Sequence, residues 1–508
     1  MESSNSQIAK NSLLLYIRMF FIMIVALFTV RVVLKNLGVE DYGIYNAVGG
    51  VVLSMTFLSR VLAVATQRFF SIAIGQNDIN KLRKQFGSIL FIYICLSAII
   101  VFLAETIGLW FVANKMTIPP DRYSAALIAY QFAVASFIIT IITNPHQALI
   151  IAHERMGVYA YASIIEVVLK LVIVYLLLIS PIDKLVSYAF LMFISTLVSY
   201  GIYFIYCNVK FKNEIQHPFW DREEAKSVVS YSGWTMIGTL SGVCANQGLC
   251  IIINIFVGPI ANAAFAIANQ ITGQVNSFAN NFLVAIRPPM IKSYATKNYD
   301  RMYELFYATS KFSFILMYMV LLPLFVQMDE ILHLWLGDVG DYMVSFSKLL
   351  LIYALILLFS NPITTIVQAA GNVKKYHLLV DGFSLVCLPI SYVLFKLSFP
   401  AESAILVLII VFLVAHVLRL YVLKQTIVFS IREYLKIIVL PVCFMIIVSY
   451  FVSLFICNMG EDNFFWIVTR CFLIAGLTIC FSLYIILNQS ERSLLLNYLR
   501  ENLRKKRS

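Results

Sequence analysis

Residues 144–159 read NPHQALIIAHERMGVY, and residues 361–376 read NPITTIVQAAGNVKKY. The Asn-Pro pairs are 361 − 144 = 217 positions apart, and Ala152/Ala369 and Tyr159/Tyr376 keep that spacing. In each copy a long apolar run meets Asn-Pro, continues for one or two turns, breaks at polar residues and restarts at the tyrosine. A unit of roughly 200 residues present twice is how many transporters are built. A second pair of segments supports the duplication. LGVEDYGIYNAVGG (37–50) opens one apolar run, and VGPIANAAFAIANQ (257–270) opens another 257 − 37 = 220 positions later.

The 508 residues are 61% hydrophobic and 13% charged, against about 25% charged in soluble domains. Mean hydropathy is +0.86. Apolar runs long enough to span a bilayer as helices recur along the whole chain. The pattern predicts an all-α polytopic membrane protein of about 14 transmembrane helices, at 11–33, 42–65, 86–112, 124–146, 158–182, 185–207, 230–256, 260–286, 303–327, 344–369, 376–397, 401–423, 436–457 and 464–487. The first run is too long for a signal-peptide core and lacks a small-x-small cleavage site, so it is expected to remain as the first helix. The 9 cysteines lie mostly in apolar runs without a CxxC pair, and the 6 histidines are scattered; neither pattern supports a metal site or a disulfide framework.

A net charge of +12 would suggest nucleic acid in a soluble protein. Here its distribution explains it, and no nucleic-acid partner is expected. With the N-terminus inside, the connections on the cytoplasmic side hold 25 of the 38 Lys and Arg, the opposite side holds 6 (Arg31, Lys35, Lys115, Arg122, Lys184 and Lys396), and 7 lie within spans. That asymmetry over short loops places both termini in the cytoplasm. The expected organisation is an N-lobe of six spans at 1–207, a linker at 208–229, a C-lobe of six spans at 230–428, two further spans within 429–489 and a basic tail at 490–508. The lobes would share one orientation, as parallel repeats. The linker, with Phe219 and Trp220 among basic residues, is expected at the cytoplasmic interface. In the tail, Leu495, Leu499 and Leu503 recur every four residues beside five basic residues. That fits an amphipathic surface helix or a plain positive-inside tail.

Ionisable groups in spans cost roughly 2.5–3.5 kcal/mol each on insertion scales and usually face a bundle interior or water. Arg18 lies a third of the way into the first span and Arg60 deep in the second. Stepping back from Arg60 at helical spacing meets Thr56, Leu53, Gly49, Asn46 and Tyr42, a largely polar or small stripe. The eighth span carries Asn280, Asn276, Gly273, Asn269, Ala266 and Asn262, each 220 later. A water-filled cavity between the halves would receive both stripes, with Asn246 and Gln247 of the seventh span; alternatively, the amides and glycines join helix to helix. Glu166 and Lys170 are one turn apart and can pair, as a structural or a coupling pair. Lys311, Lys348, Arg419 and Arg470 lie nearer span ends, where snorkelling to the headgroups is the default. Asp381 is open to either reading, and Glu105 suits an outer anchor.

Walker A, GxSxG and HExxH patterns are absent from the sequence, so ATP hydrolysis and metal hydrolysis lack support. A membrane glycosyltransferase or polymerase would need a catalytic outer loop, and MDEILHLWLGDVGDYM (328–343) is too short for one. No cofactor is expected.

LGVEDYGIY (37–45), NQG (246–248), VGPIANAAFAIANQI (257–271), RPPMIKSYA (287–295), LHLWLG (332–337) and the NP-x(6)-QAAGNVKKY segment together resemble the multidrug/oligosaccharidyl-lipid/polysaccharide (MOP) exporter superfamily. Within it, the chain resembles the Wzx-type polysaccharide-unit flippases, with the likeness weakening after about residue 430. The resemblance implies a MATE-like, V-shaped pair of six-helix lobes plus two C-terminal helices. It implies alternating access and movement of an undecaprenyl-diphosphate-linked oligosaccharide across the inner membrane. Arg18 and Arg60 would then neutralise the diphosphate, since arginine offers phosphate a planar fork. The amides Asn246, Gln247, Asn269, Asn276 and Asn280 would meet sugar hydroxyls. The last two spans would border a groove for the polyprenyl tail, and a polysaccharide polymerase machinery is a partner left open. The alternative is a MATE-type cation-coupled multidrug antiporter; many of these carry an acid in the first helix, where this chain has Arg18.

Overall fold

The computed structural model describes residues 11–22 and 56–493, apart from 115, 117, 180, 182, 337–339, 461–462 and 490, with single residues or pairs between 25 and 52. Each expected span coincides, where its residues are described, with a helix, and no strand occurs among the described residues. The first seven are α1 (Asn11–Ile22), α2 (Thr56–Gly75), α3 (Ile79–Asn114), α4 (Tyr123–Ala152), α5 (Met156–Ile179), α6 (Lys184–Lys210) and α7 (Arg222–Phe256). The second seven are α8 (Pro259–Ala295), α9 (Tyr299–Val326), α10 (Met343–Ala370), α11 (Val373–Lys396), α12 (Ser403–Thr426), α13 (Ile431–Cys457) and α14 (Phe464–Ile485). Among the described residues 11 helices are long and apolar enough to cross a membrane. The chain is a multi-pass, all-α membrane protein. Of the remaining three, α1 and α2 are described only in part, and α8 is diluted by its own amides.

The chain divides into two compact units, Gln7–Met236 and Ile237–Ser508 with Met1–Ser6, and the dividing point lies inside α7. In the first unit α4 is the central stave, packed on α2, α3, α5 and α6. Its Ala125, Ala126 and Ala129 are buried, and small residues let helix backbones approach closely. Toward the other end of α4, Phe70 of α2 and Phe86 of α3 stack at 5.9 Å, and Phe86 meets His146 of α4 edge-on at 5.4 Å. The 208–229 segment folds back on this unit. Phe219 lies against Gly87, where a Cβ would come within 2.5 Å of its ring. Trp220 meets Phe91 edge-on at 5.6 Å, and Gln85 Nε2 donates to Glu224 Oε2 at 3.2 Å.

In the second unit α10 holds the corresponding place, packed on α8, α9 and α12. The two central helices are the ones that carry Asn144-Pro145 and Asn361-Pro362. The duplication reaches the backbone. α2 ends at Gly75 and α8 at Ala295, 220 residues later. Each is followed by a left-handed residue, Asn77 (φ 55°) and Lys297 (φ 58°). Asp78 and Asn298 then cap α3 and α9 by accepting the Lys81 and Arg301 amides at 2.9 and 3.2 Å, satisfying one orphan N–H of each helix. The α4–α5 turn repeats as α10–α11, with Glu154 (φ 59°) and Gly371 (φ 83°) 217 apart.

The last two helices pack on α9. Tyr318 Oη of α9 meets Ser449 Oγ of α13 at 3.0 Å. Ser449, Ser453, Thr478 and Ser482 are buried. The Ser449, Thr478 and Ser482 hydroxyls each donate to the carbonyl four residues back, at 2.6 Å, so these small residues bring no unsatisfied donor into the packing.

Several helices outrun their spans toward the basic connections. α2 continues past residue 65 to Gly75, and α8 passes Pro288 and Pro289 to reach Ala295. Hydropathy marks where the membrane ends, while the helical hydrogen-bond ladder ends only at a cap. A proline inside a membrane helix is tolerated where neighbours re-satisfy the freed carbonyl.

Candidate functional site

In the first unit the charged residues gather where α1 crosses α5. The Arg18 guanidinium lies over the Tyr159 ring, 4.5 Å from its centroid. Such a contact is worth about 0.5–2 kcal/mol, more as water is removed. It fixes the guanidinium plane without using its donors, and Arg18 Nε is buried with no hydrogen-bond partner among the described residues. Tyr203 of α6 is buried within electrostatic reach of Arg18, Tyr159 and Glu166. Two turns further along α5, Lys170 Nζ donates to Glu166 Oε1 at 2.6 Å, both side chains being 33% exposed. The ion pair is therefore formed.

Arg60 lies on α2, but its side chain is outside the described residues. So are Arg31, Lys35, Glu40, Tyr42, Asn46, Leu53, Lys115, Asp338 and the tail beyond residue 493, on which other expectations fell.

The α8 stripe divides. Asn269 Oδ1 accepts from Asn246 Nδ2 of α7 at 3.1 Å, while its own Nδ2 donates to Phe265 O. This pair joins two helices. Asn276 is half-buried, and Asn280 and Gln247 are exposed. A Cβ placed on Gly273 would meet nothing within 4 Å, so this part of the stripe is uncovered within its own unit.

The second unit carries a cluster at the site equivalent to Tyr159. Tyr376 accepts from Arg419 Nε at 3.1 Å and meets Thr364 Oγ1 at 2.6 Å. Arg419 Nη2 lies 4.0 Å from Asp381 Oδ1, and Asp381 Oδ2 meets His377 Nδ1 at 2.5 Å. His377 and Asp381 bound a π-helical turn in α11, a feature frequent at functional sites. Arg419 is 4% exposed, so the expectation that it snorkels is corrected. Lys311 and Arg470, at 1% and 2% exposure, are corrected likewise. Lys311 Nζ holds both carboxylate oxygens of Glu491 at 3.0 and 2.9 Å. Arg470 donates to the carbonyls of Met459 and Gly460, which close α13. In each case a partner within reach replaces the headgroup and makes burial affordable. Lys348 remains half-buried, 6.0 Å from the Phe325 ring.

Each half thus places an arginine on the tyrosine that starts its eleventh or fifth helix: Arg18 on Tyr159 from α1, Arg419 on Tyr376 from α12. Sequence reasoning found the tyrosines as a repeat and Arg18 as a charge, and missed that they meet. The i, i+4 spacing of His377 and Asp381 was the available signal for the second cluster.

A family model described as polysaccharide biosynthesis protein matches residues 8–294, and the MatE model matches residues 235–394. No curated protein matches. The chain is similar in structure to an outward-facing multidrug resistance MATE family transporter of the MOP superfamily: 16% identity, 82% of this chain and 95% of that one, TM-score 0.67. It is equally similar to a MOP superfamily transporter from Pyrococcus furiosus described as having a binding pocket of reversed polarity, at 16% identity over 82% and 95%, TM-score 0.66. A Vibrio cholerae MATE transporter aligns at 15% identity over 83% and 97%, TM-score 0.65. At these identities the likeness is one of fold.

Proposed function

Since the chain belongs to the polysaccharide biosynthesis protein family of MOP superfamily transporters, we propose that it is a Wzx-type flippase for undecaprenyl-diphosphate-linked oligosaccharide units of a surface polysaccharide. It would work by alternating access in the inner membrane with both termini cytoplasmic. The observation that carries this reading is Arg18: a guanidinium oriented by the Tyr159 face, with a buried Nε–H that has no hydrogen-bond partner among the described residues. A diphosphate supplies the missing acceptor, and Arg offers it a planar fork. Arg60 would add a second positive charge. Asn276, Asn280 and Gln247 would meet sugar hydroxyls, with Asn246 and Asn269 holding α7 to α8 behind them. The family and fold are those of transporters, and nothing in the reading requires a cofactor.

A second reading is a MATE-type cation-coupled multidrug antiporter, favoured by the MATE identity of the similar solved structures. An arginine-centred site disfavours cationic cargo by like-charge repulsion. The deciding experiment is deletion of the gene in its host with analysis of lipid-linked glycan by leaflet. Accumulation in the inner leaflet with loss of surface polysaccharide, restored by the wild-type gene and not by Arg18→Ala, is the expected result. Intact surface glycan with altered resistance to cationic dyes would transfer the assignment to the antiporter.

A further inference from the structure

α3 carries a carboxylate that the arginine site of the first unit does not use. Glu105 is half-buried, accepts a hydrogen bond from Gln131 Nε2 of α4 at 3.1 Å, and has no ion pair among the described residues. Its depth makes it costly. Trp110, exposed on the same helix, is a residue type that marks the membrane–water interface. Glu105 lies 110 − 105 = 5 residues inward of it, about 7 Å along the helix. Side chains on a helix lean toward its N-terminus, which for α3 is the cytoplasmic end in the expected orientation. Glu105 therefore leans away from the outer headgroups, and snorkelling does not relieve it.

The local backbone presents this carboxylate rather than hiding it. Ala104–Gly108 form a π-helical turn, a feature frequent at functional sites. Tyr130 Oη of α4 donates to Ala104 O at 2.8 Å, and a Cβ on Gly108 would collide with that hydroxyl. Ala104 and Gly108 thus seat the turn on α4, and Glu105 comes to the edge of the contact beside Gln131. Around the pair the surface is apolar and open. Within the unit Phe102 is 67% and Ile107 62% exposed, and Ile99 of α3 and Ile128 of α4 are exposed as well. Such side chains do not surface a water-filled passage; they belong against lipid or another helix.

We propose that the outer half of α3, with Glu105 and Gln131 at its centre, is the docking face for a transmembrane helix of another protein that carries a lysine or arginine in its own outer half. Polar side chains hold membrane helices together, and the sign of this one selects a cation. The incoming ammonium or guanidinium would donate to Glu105 Oε1, which the bond from Gln131 leaves free, and to the Gln131 side-chain carbonyl. Phe102, Ile107 and Ile128 would pack around them and exclude lipid. A second copy of this chain fits less well, because a two-fold contact through this face sets Glu105 against Glu105. The surface requires nothing of the cargo, so it stands apart from the flippase reading.

The test uses the purified full-length protein in phosphatidylcholine nanodiscs. The probes are dye-labelled, leucine-rich transmembrane peptides of about 23 residues with Lys, Leu or Glu a third of the way from one end. Energy transfer to an acceptor on the protein reads association. The Lys peptide is expected to bind about tenfold more tightly than the Leu peptide and the Glu peptide more weakly than either. Glu105→Gln should erase these differences, and Glu105→Asp should keep part of them. Equal binding of the Lys and Leu peptides to the wild type, or a preference that persists in Glu105→Gln, overturns the proposal. Self-association of the wild type that is lost in Glu105→Gln would overturn it too, by giving the face to a second copy. Should Glu105→Gln fail to insert, the order Lys, Leu, Glu on the wild type and its weakening in Gln131→Leu decide, and any other order is fatal. No glycan is present, so failure of the flippase reading leaves the outcome unaffected.

Discussion

Glu154 and Gly371 both turn the backbone left-handed, at φ 59° and 83°, two residues before their helices restart at Met156 and Val373. Gly371 closes α10 by giving its N–H to the carbonyl of Val367 at 3.1 Å, which satisfies a helix-end acceptor. A side chain at positive φ costs about 1–2 kcal/mol. Gly371→Ala is therefore expected to lower stability by about 1 kcal/mol, while Glu154→Gly is neutral or slightly favourable because relieved strain offsets the added freedom of the unfolded chain. Thermal unfolding in detergent reads both; a greater loss in Glu154→Gly would contradict the account.

Arg18 on Tyr159 makes a graded prediction. Tyr159→Phe keeps the ring face and should retain more than half of the complementing activity. Tyr159→Leu loses a contact of about 1 kcal/mol and should cost roughly fivefold. Arg18→Ala should abolish surface glycan with normal protein levels, and Arg18→Lys should restore part of it, since charge returns without the fork. Arg60→Ala and Arg60→Lys should rank in the same way. Display at wild-type level in a well-inserted Arg18→Ala protein would remove the diphosphate assignment.

Lys311 and Glu491 differ in exposure, 1% against 21% for their side chains. Removing the carboxylate strands a buried ammonium, whereas removing the lysine leaves a carboxylate that water can reach. Glu491→Gln is accordingly expected to cost about 3 kcal/mol, and Lys311→Met distinctly less. The double variant should recover most of the difference. Unfolding midpoints of the three proteins, compared as a double-mutant cycle, test the order.

Asp183 at the start of α6 accepts Arg122 Nη1 at 2.6 Å, and Arg122 also binds Asp41. Partial burial pulls the Asp183 carboxyl up, but hydrogen bonds from Arg122, Val186 and Leu185 with the arginine charge outweigh it and hold it below the usual value. A group with a lowered folded-state value stabilises above the unfolded value, about 3.9, and that contribution disappears as pH falls through the folded value. Stability should thus drop below about pH 4 in the wild type and drop less steeply in Asp183→Asn. Equal acid limbs in the two proteins would refute the linkage.

How much the sequence revealed depended on whether partners were near in the chain. Asn144-Pro145 and Asn361-Pro362 announced the repeat and its central helices, because spacing along one chain is visible without a fold. Glu166 and Lys170 were legible as a pair for the same reason. Arg419, Lys311 and Arg470 were misread as snorkelling: Asp381 is 38 positions from Arg419, Glu491 is 180 from Lys311, and Arg470 relies on carbonyls that any residue could supply. Helix ends beyond the membrane were missed because hydropathy is silent about capping, as Asp78 and Asn298 show.

The paired turns at Asn77 and Lys297 leave each unit with the same hairpin, down to the residue that donates its amide to the cap. Residues 76–81 (QNDINK) and 296–301 (TKNYDR) share no side chain at matched positions, yet they repeat the same left-handed residue and cap. These segments are therefore portable parts: exchanged between their positions, each would find its left-handed residue and its capping oxygen already in register, and the identity of the surrounding unit would pass unnoticed by the turn.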